Sequence, residues 1–137
     1  MIRDATLEVA IVILVVVDDP SFQSAVEEAL TVGGFDPAIA SSNEQALMLL
    51  SGNQYRVLVI DIKLAGGRVR GWDVARRARA TNPTLPVVYI TDANADEWAV
   101  QGVPNSILLT KPFAPAQLVT AVSQLLNTSS PKLKSSD

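Results

Sequence analysis

The chain contains no cysteine and no histidine. It therefore has no thiolate nucleophile, no imidazole base, no disulfide framework and no common zinc site, so carboxylates, hydroxyls and lysines must carry its chemistry. Long apolar runs are missing as well. The longest, Val9 to Val17, falls well short of the roughly 20 residues a membrane-spanning helix needs. Arg3 is followed at once by Asp4, a poor start for a secretory signal, so the expectation is a cytoplasmic protein with no membrane association. Positive charge is scarce: 11 Lys and Arg against 14 Asp and Glu give a net charge of −3. That balance offers polyphosphate no overall attraction and argues against nucleic acid as the main partner.

What is present fits one globular domain. The 137 residues are 48% hydrophobic and 18% charged, and a domain of this size buries roughly 68% of the surface its unfolded chain exposes. The expected division is an N-terminal extension over 1–8, one domain over 9–127 and a polar tail over 128–137. Val9–Val17, rich in Val and Ile and ending in a polar cluster, reads as a strand buried on both faces, which implies a parallel sheet. Asp19-Pro20 supplies an N-cap and a first-turn proline for a helix carrying Phe22, Val26 and Leu30, which Gly33-Gly34 ends.

The pattern then recurs. Pro37–Ala40 reads as a strand and precedes a helix opened by a capping box in Ser41-Ser42-Asn43-Glu44, with Ala46, Leu47 and Leu50 on its apolar face. Arg56–Ile60 is the third strand, Trp72–Ala80 a helix, Pro86–Ile90 the fourth strand, and Asp96–Gln101 a short helix. Ser106–Leu109 is the fifth strand, and the last helix runs from about Pro115 to Leu126. Five strands alternating with five helices predict a doubly wound α/β fold, with helices on both faces of one parallel sheet.

In such a sheet, ligands bind beyond the carboxyl ends of the strands. Asp18 and Asp19 follow the first strand, Asp61 the third, Thr91 the fourth and Lys111 the fifth. Singly, each has a bland explanation: Asp19 a helix cap, Asp18 and Asp61 turn residues, Thr91 a β-branched strand end, Lys111 a solvated cation. Together they fall at one sheet edge. Three crowded carboxylates repel one another unless a cation intervenes, and Mg²⁺, or Mn²⁺ in its place, suits hard oxygen ligands. Asp61 is then placed to attack phosphorus, with Lys111 neutralising charge and the Thr91 hydroxyl donating a hydrogen bond.

The segments Val-Val-Asp-Asp, Val-Ile-Asp, Val-Tyr-Ile-Thr and Thr-Lys-Pro-Phe resemble the receiver domain of two-component response regulators, over roughly residues 9–127. The resemblance implies a flavodoxin-like five-stranded sheet of order 2-1-3-4-5. It makes Asp18 and Asp19 metal-site acids, Asp61 both metal ligand and phosphoacceptor, and Thr91 and Lys111 partners of the phosphoryl group. Lys63 would lend its backbone carbonyl to the metal, and its side chain would influence the lifetime of the aspartyl phosphate. The Lys111-Pro112 bond is expected to be cis. A histidine kinase or histidine phosphotransfer protein would be the donor, in keeping with a chain that has no histidine. The implied protein is a stand-alone signalling domain rather than an enzyme acting on other substrates, passing its signal to another protein. A homodimer through the short helix, the fifth strand and the last helix is the associated form.

Departures from the family pattern leave alternatives. Asp92 stands where a small residue is usual and either hinders the phosphoryl donor or points to solvent. Leu108 replaces an inward-swinging aromatic, and the stretch after Asp61 has Leu64-Ala65 for Met-Pro and a longer Gly66–Gly71 loop. A degenerate receiver that binds partners without phosphorylation is one rival reading. Another is a small phosphatase of the haloacid-dehalogenase kind, which would place Asp-x-Asp after the first strand, unlike the adjacent Asp18-Asp19 here. Arg68, Arg70, Arg76, Arg77 and Arg79 form either a solvated face or a surface for an acidic partner. Trp98 is either core filling or an exposed anchor.

Overall fold

The computed structural model describes residues 11–62, 70–91, 98 and 101–128. Its strands are β1 (Val12–Val16), β2 (Asp36–Ala40), β3 (Val57–Asp61), β4 (Val87–Thr91) and β5 (Ser106–Thr110). Its helices are α1 (Pro20–Val32), α2 (Asn43–Gly52), α3 (Gly71–Thr81) and α4 (Pro115–Thr128). The strands form one parallel sheet of order β2-β1-β3-β4-β5, the doubly wound order expected. Trp98 and Gln101 are helical where the short helix was expected. The N-terminal extension, the end of the tail, Lys63 to Val69 and Asp92 lie outside the described residues.

Strand alternation divides the apolar residues between two cores. Leu14, Val16, Leu58, Ile60, Val87 and Tyr89 face α2 and α3, meeting Ala46, Trp72, Val74 and Ala78. Ile13, Val15, Val57, Val59, Val88 and Ile90 face α1 and α4, meeting Val26, Leu30, Leu118 and Val122. The central strands are thus buried on both sides, which is why β1 reads as a nearly unbroken Val/Ile run.

Local signals place the helices. Asp19 caps α1, its Oδ2 accepting from the Phe22 amide at 2.9 Å, with Pro20 in the first turn. Beyond the helix, Gly34 adopts φ 95°, a left-handed conformation that glycine takes without a Cβ clash. The start of α2 lies one residue later than the expected box: Ser42, not Ser41, is the cap and accepts from the Gln45 amide. Gln45, not Glu44, reaches back, accepting from the Ser41 amide at 2.8 Å. The amide side chain can satisfy that exposed N–H as well as a carboxylate would.

Strands β3, β4 and β5 each run one residue further than the apolar pattern suggests. Backbone pairing continues through Asp61↔Ile90 and Thr91↔Thr110, whatever the side chains. At the same rim, a Cβ on Gly71 would lie 3.1 Å from the Ile62 Cα and 3.4 Å from the Asp61 carbonyl oxygen. Glycine there lets α3 begin hard against the end of β3.

Two arginines of α3 belong to neither alternative offered by the sequence. Arg76 bonds Asp73 and both the carbonyl and side chain of Gln101. Arg79 donates to the carbonyls of Leu85, Pro104 and Asn105. They brace α3 against the segment leading into β5. Burial lowers the Arg79 guanidinium pKa and raises that of the Tyr89 phenol. The neutral Tyr89 hydroxyl accepts from the Val103 amide at 3.2 Å. Trp98 packs against the α2–α3 core and donates from Nε1 to Ser106 Oγ at 2.9 Å, so it fills core space. Among the described residues, no helix is long and apolar enough to cross a membrane.

Leu58 is fully buried whereas Met48 is 69% exposed. Leu58→Ala is expected to lower unfolding free energy by about 2–5 kcal/mol, and Met48→Ala to change it by less than about 0.5 kcal/mol, in urea titrations of both variants. Equal effects would contradict the assignment of the core.

Candidate functional site

The polar residues singled out in the sequence reach the carboxyl edge of the sheet from four strands, Asp18 and Asp19 together from β1 and the others from β3, β4 and β5. Asp61 ends β3 with a side chain only 7% exposed, on the face shared with Val57 and Val59. Lys111 follows β5, held by its amide, which donates to the Thr91 carbonyl at 2.7 Å. Its Nζ donates to Asp61 Oδ2 at 2.8 Å, joining residues from two strands that are not neighbours. The Lys111-Pro112 bond is cis.

Thr91 is 1% exposed at the end of β4. Alternation sets it on the opposite face from Asp61, with Tyr89 and Leu108. Asp18 lies half-buried beyond β1, whose Val16 pairs with Ile60 beside Asp61. Asp19 is exposed, its carboxylate turned to the α1 cap. The edge thus joins Asp61 to Lys111 directly and sets Asp18 at the adjoining strand end. Lys63 lies outside the described residues.

Three side chains that sequence reasoning did not assign to the site help build it. The Phe22 ring lies under the Lys111 ammonium, 4.8 Å from centroid to Nζ, and meets Phe113 edge to face at 5.9 Å. Phe22 was legible only as part of the apolar stripe of α1; the signal that it faces the site was its place three residues after a cap at the ligand edge. Gln23 ties the ends of β1 and β2, donating to the Val17 carbonyl and to Ser41 Oγ.

The donor set can be tested against a hard divalent cation. Among the described residues, no group of three or more acidic side chains is gathered closely enough to hold a metal ion. Asp19 accepts the helix-cap bond from the Phe22 amide through Oδ2. Mg²⁺ commonly binds through one or two carboxylates and keeps several waters. Asp61 and Asp18, oxygen donors at adjoining strand ends, fit that mode.

The sequence matches the response regulator receiver domain family over residues 13–123. It is 30% identical over 116 residues to the transcriptional regulatory protein CusR of Escherichia coli (strain K12), covering 83% of this chain and 50% of that protein. It is 35% identical over 93 residues to AfsQ1 of Streptomyces coelicolor, covering 68% of this chain and 40% of that regulator. The chain therefore spans half or less of the length of these two regulators. Its structure is similar to the response regulator receiver protein from Sinorhizobium medicae WSM419, with a TM-score of 0.84, 45% identity, and coverage of 88% of this chain and 97% of that one. It shares its fold with the receiver domain of the sensor histidine kinase PA1611 from Pseudomonas aeruginosa PAO1, solved with a magnesium ion in the active site cleft (TM-score 0.74, 21% identity, 87% and 99% coverage).

Lys111→Met strips a nearly buried carboxylate of its cation and is expected to cost about 1–3 kcal/mol of stability at neutral pH. Asp61→Asn removes the charge together with the need for a partner and should cost less. Guanidinium unfolding of both variants measures the difference; a greater loss in Asp61→Asn would contradict the geometry.

Proposed function

Because this chain belongs to the response regulator receiver domain family, we propose that Asp61 accepts a phosphoryl group from a phosphohistidine of a kinase or phosphotransfer protein. The observation that most supports this reading is the Lys111–Asp61 contact at the carboxyl edge of the sheet. A carboxylate oxygen of Asp61 attacks phosphorus in line, the P–N bond to the donor imidazole breaks, and an aspartyl phosphate forms. Lys111, already bonded to Oδ2, transfers its hydrogen bonding to a phosphoryl oxygen. Its charge offsets the negative charge that gathers in the transition state.

Phe22 holds the lysine from below, and the Thr91 hydroxyl donates to the phosphoryl group. Bound Mg²⁺ would supply neutralisation of charge on the phosphoryl oxygens; Asp18 and Asp61 would hold it, and the family likeness would add Asp19 and the Lys63 backbone carbonyl. Water attack on phosphorus later restores Asp61 and releases phosphate, so the domain performs its own resetting but turns over no other substrate. The output passes by protein contact along the edge formed by β5 and α4, to a downstream protein or a second copy.

Intact-mass measurement after incubation with acetyl phosphate and Mg²⁺ tests this proposal. The wild type should gain one phosphoryl group, Asp61→Asn none, and Lys111→Ala should react slower by on the order of 10². An adduct that persists in Asp61→Asn, or none in the wild type, would refute it.

A further inference from the structure

A second recess lies at the opposite edge of the sheet. Between the carboxyl-terminal halves of α2 and α3 the chain forms a cleft of about 540 Å³, within the size range of small-ligand pockets. Leu47, Leu50, Ala78 and Leu85 supply apolar wall, and Tyr55 and Arg77 bring polar groups to it. Tyr55 precedes Asp61 by six residues, so the cleft stands about 20 Å from the acceptor along β3.

Arg77 differs from its neighbours on α3. Arg76 and Arg79 are committed to the segment before β5, whereas Arg77, on the other flank of the helix, makes no hydrogen bond or ion pair to any described residue. No acidic side chain lines the cleft beside it. Tyr55 is only 9% exposed, yet its hydroxyl likewise bonds no described residue. A phenol with its ring largely buried and a solvent-exposed guanidinium, neither bonded to a described residue, therefore border one partly apolar recess.

We propose that this cleft binds a small amphipathic carboxylate. The guanidinium takes the carboxylate through paired N–H bonds, the Tyr55 hydroxyl donates to one of the same oxygens, and the apolar body lies against Leu47, Leu50 and Leu85. The carbonyl ends of α2 and α3 oppose an anion with about half an elementary charge each. Those charges are diffuse, and the Asn53 side chain already bonds the Leu49 carbonyl. The full charge of Arg77, aligned for two hydrogen bonds, prevails over them.

The test is a ¹H–¹⁵N NMR titration of the full chain with 3-phenylpropionate and with its neutral amide, without metal or phosphodonor, so that it is independent of phosphorylation at Asp61. Saturable shifts confined to the ends of α2 and α3 are expected, with the acid at least about tenfold tighter than the amide. Arg77→Gln should remove that preference, and Tyr55→Phe, which keeps the ring, should weaken acid binding alone. Equal affinity for acid and amide, indifference to Arg77→Gln, or no saturable shift would overturn the proposal. So would binding of an acidic peptide without binding of the free acid, which would identify a protein-docking surface instead.

Discussion

The contact on which the site depends is the 2.8 Å bond between the Lys111 ammonium and Asp61 Oδ2. A carboxylate this nearly buried is costly to leave without a cation, and the cation arrives from a strand that is not its neighbour. Register in the parallel ladder makes the meeting possible, because Asp61 pairs with Ile90 and Lys111 hangs from Thr91 one step on. Support comes from below as well: Asp19 caps the Phe22 amide, and the Phe22 ring lies under the lysine. Cap, ring, ammonium and carboxylate form one connected chain of contacts.

The sheet also separates two tasks. Asp61 and Lys111 face the side of α1 and α4, while Thr91 shares the other face with Tyr89 and Leu108. In the proposed function, drawing the Thr91 hydroxyl toward a phosphoryl group would act on a face already linked to β5. Tyr89 accepts from Val103, Trp98 donates to Ser106, and Arg76 and Arg79 hold residues 101 to 105. The inward-swinging aromatic absent at Leu108 has no substitute on β5; Tyr89 of β4 is buried on this face, against Trp72.

Much of the fold was legible because the doubly buried strands leave nearly continuous Val and Ile runs, and because Asp19-Pro20 and Gly33-Gly34 mark helix ends by local chemistry. Strand order followed from the family likeness, and the convergence of Asp61 with Lys111 from the rule that ligands bind beyond the carboxyl ends of such strands. Less visible was anything set by side-chain reach across the fold. Composition presents Arg76 and Arg79 as surface charge, yet their length carries them to carbonyls about 25 residues away in sequence. Phe22 reads as ordinary core until α1 is seen lying over the lysine. The capping pair at α2 was misplaced by one residue because Ser41-Ser42 and Glu44-Gln45 offer two equivalent spacings. Asp19 was read correctly as a cap.

The central claim, that Asp61 is the acceptor within one assembled edge, is tested most directly with beryllofluoride, which mimics a phosphoryl group on a carboxylate. In ¹H–¹⁵N spectra with Mg²⁺, its addition should produce slowly exchanging shifts at Asp61, Thr91 and Lys111 that extend along β4 and β5, all absent in Asp61→Asn. Spectra that do not change in the wild type, or that change equally in Asp61→Asn, would contradict it.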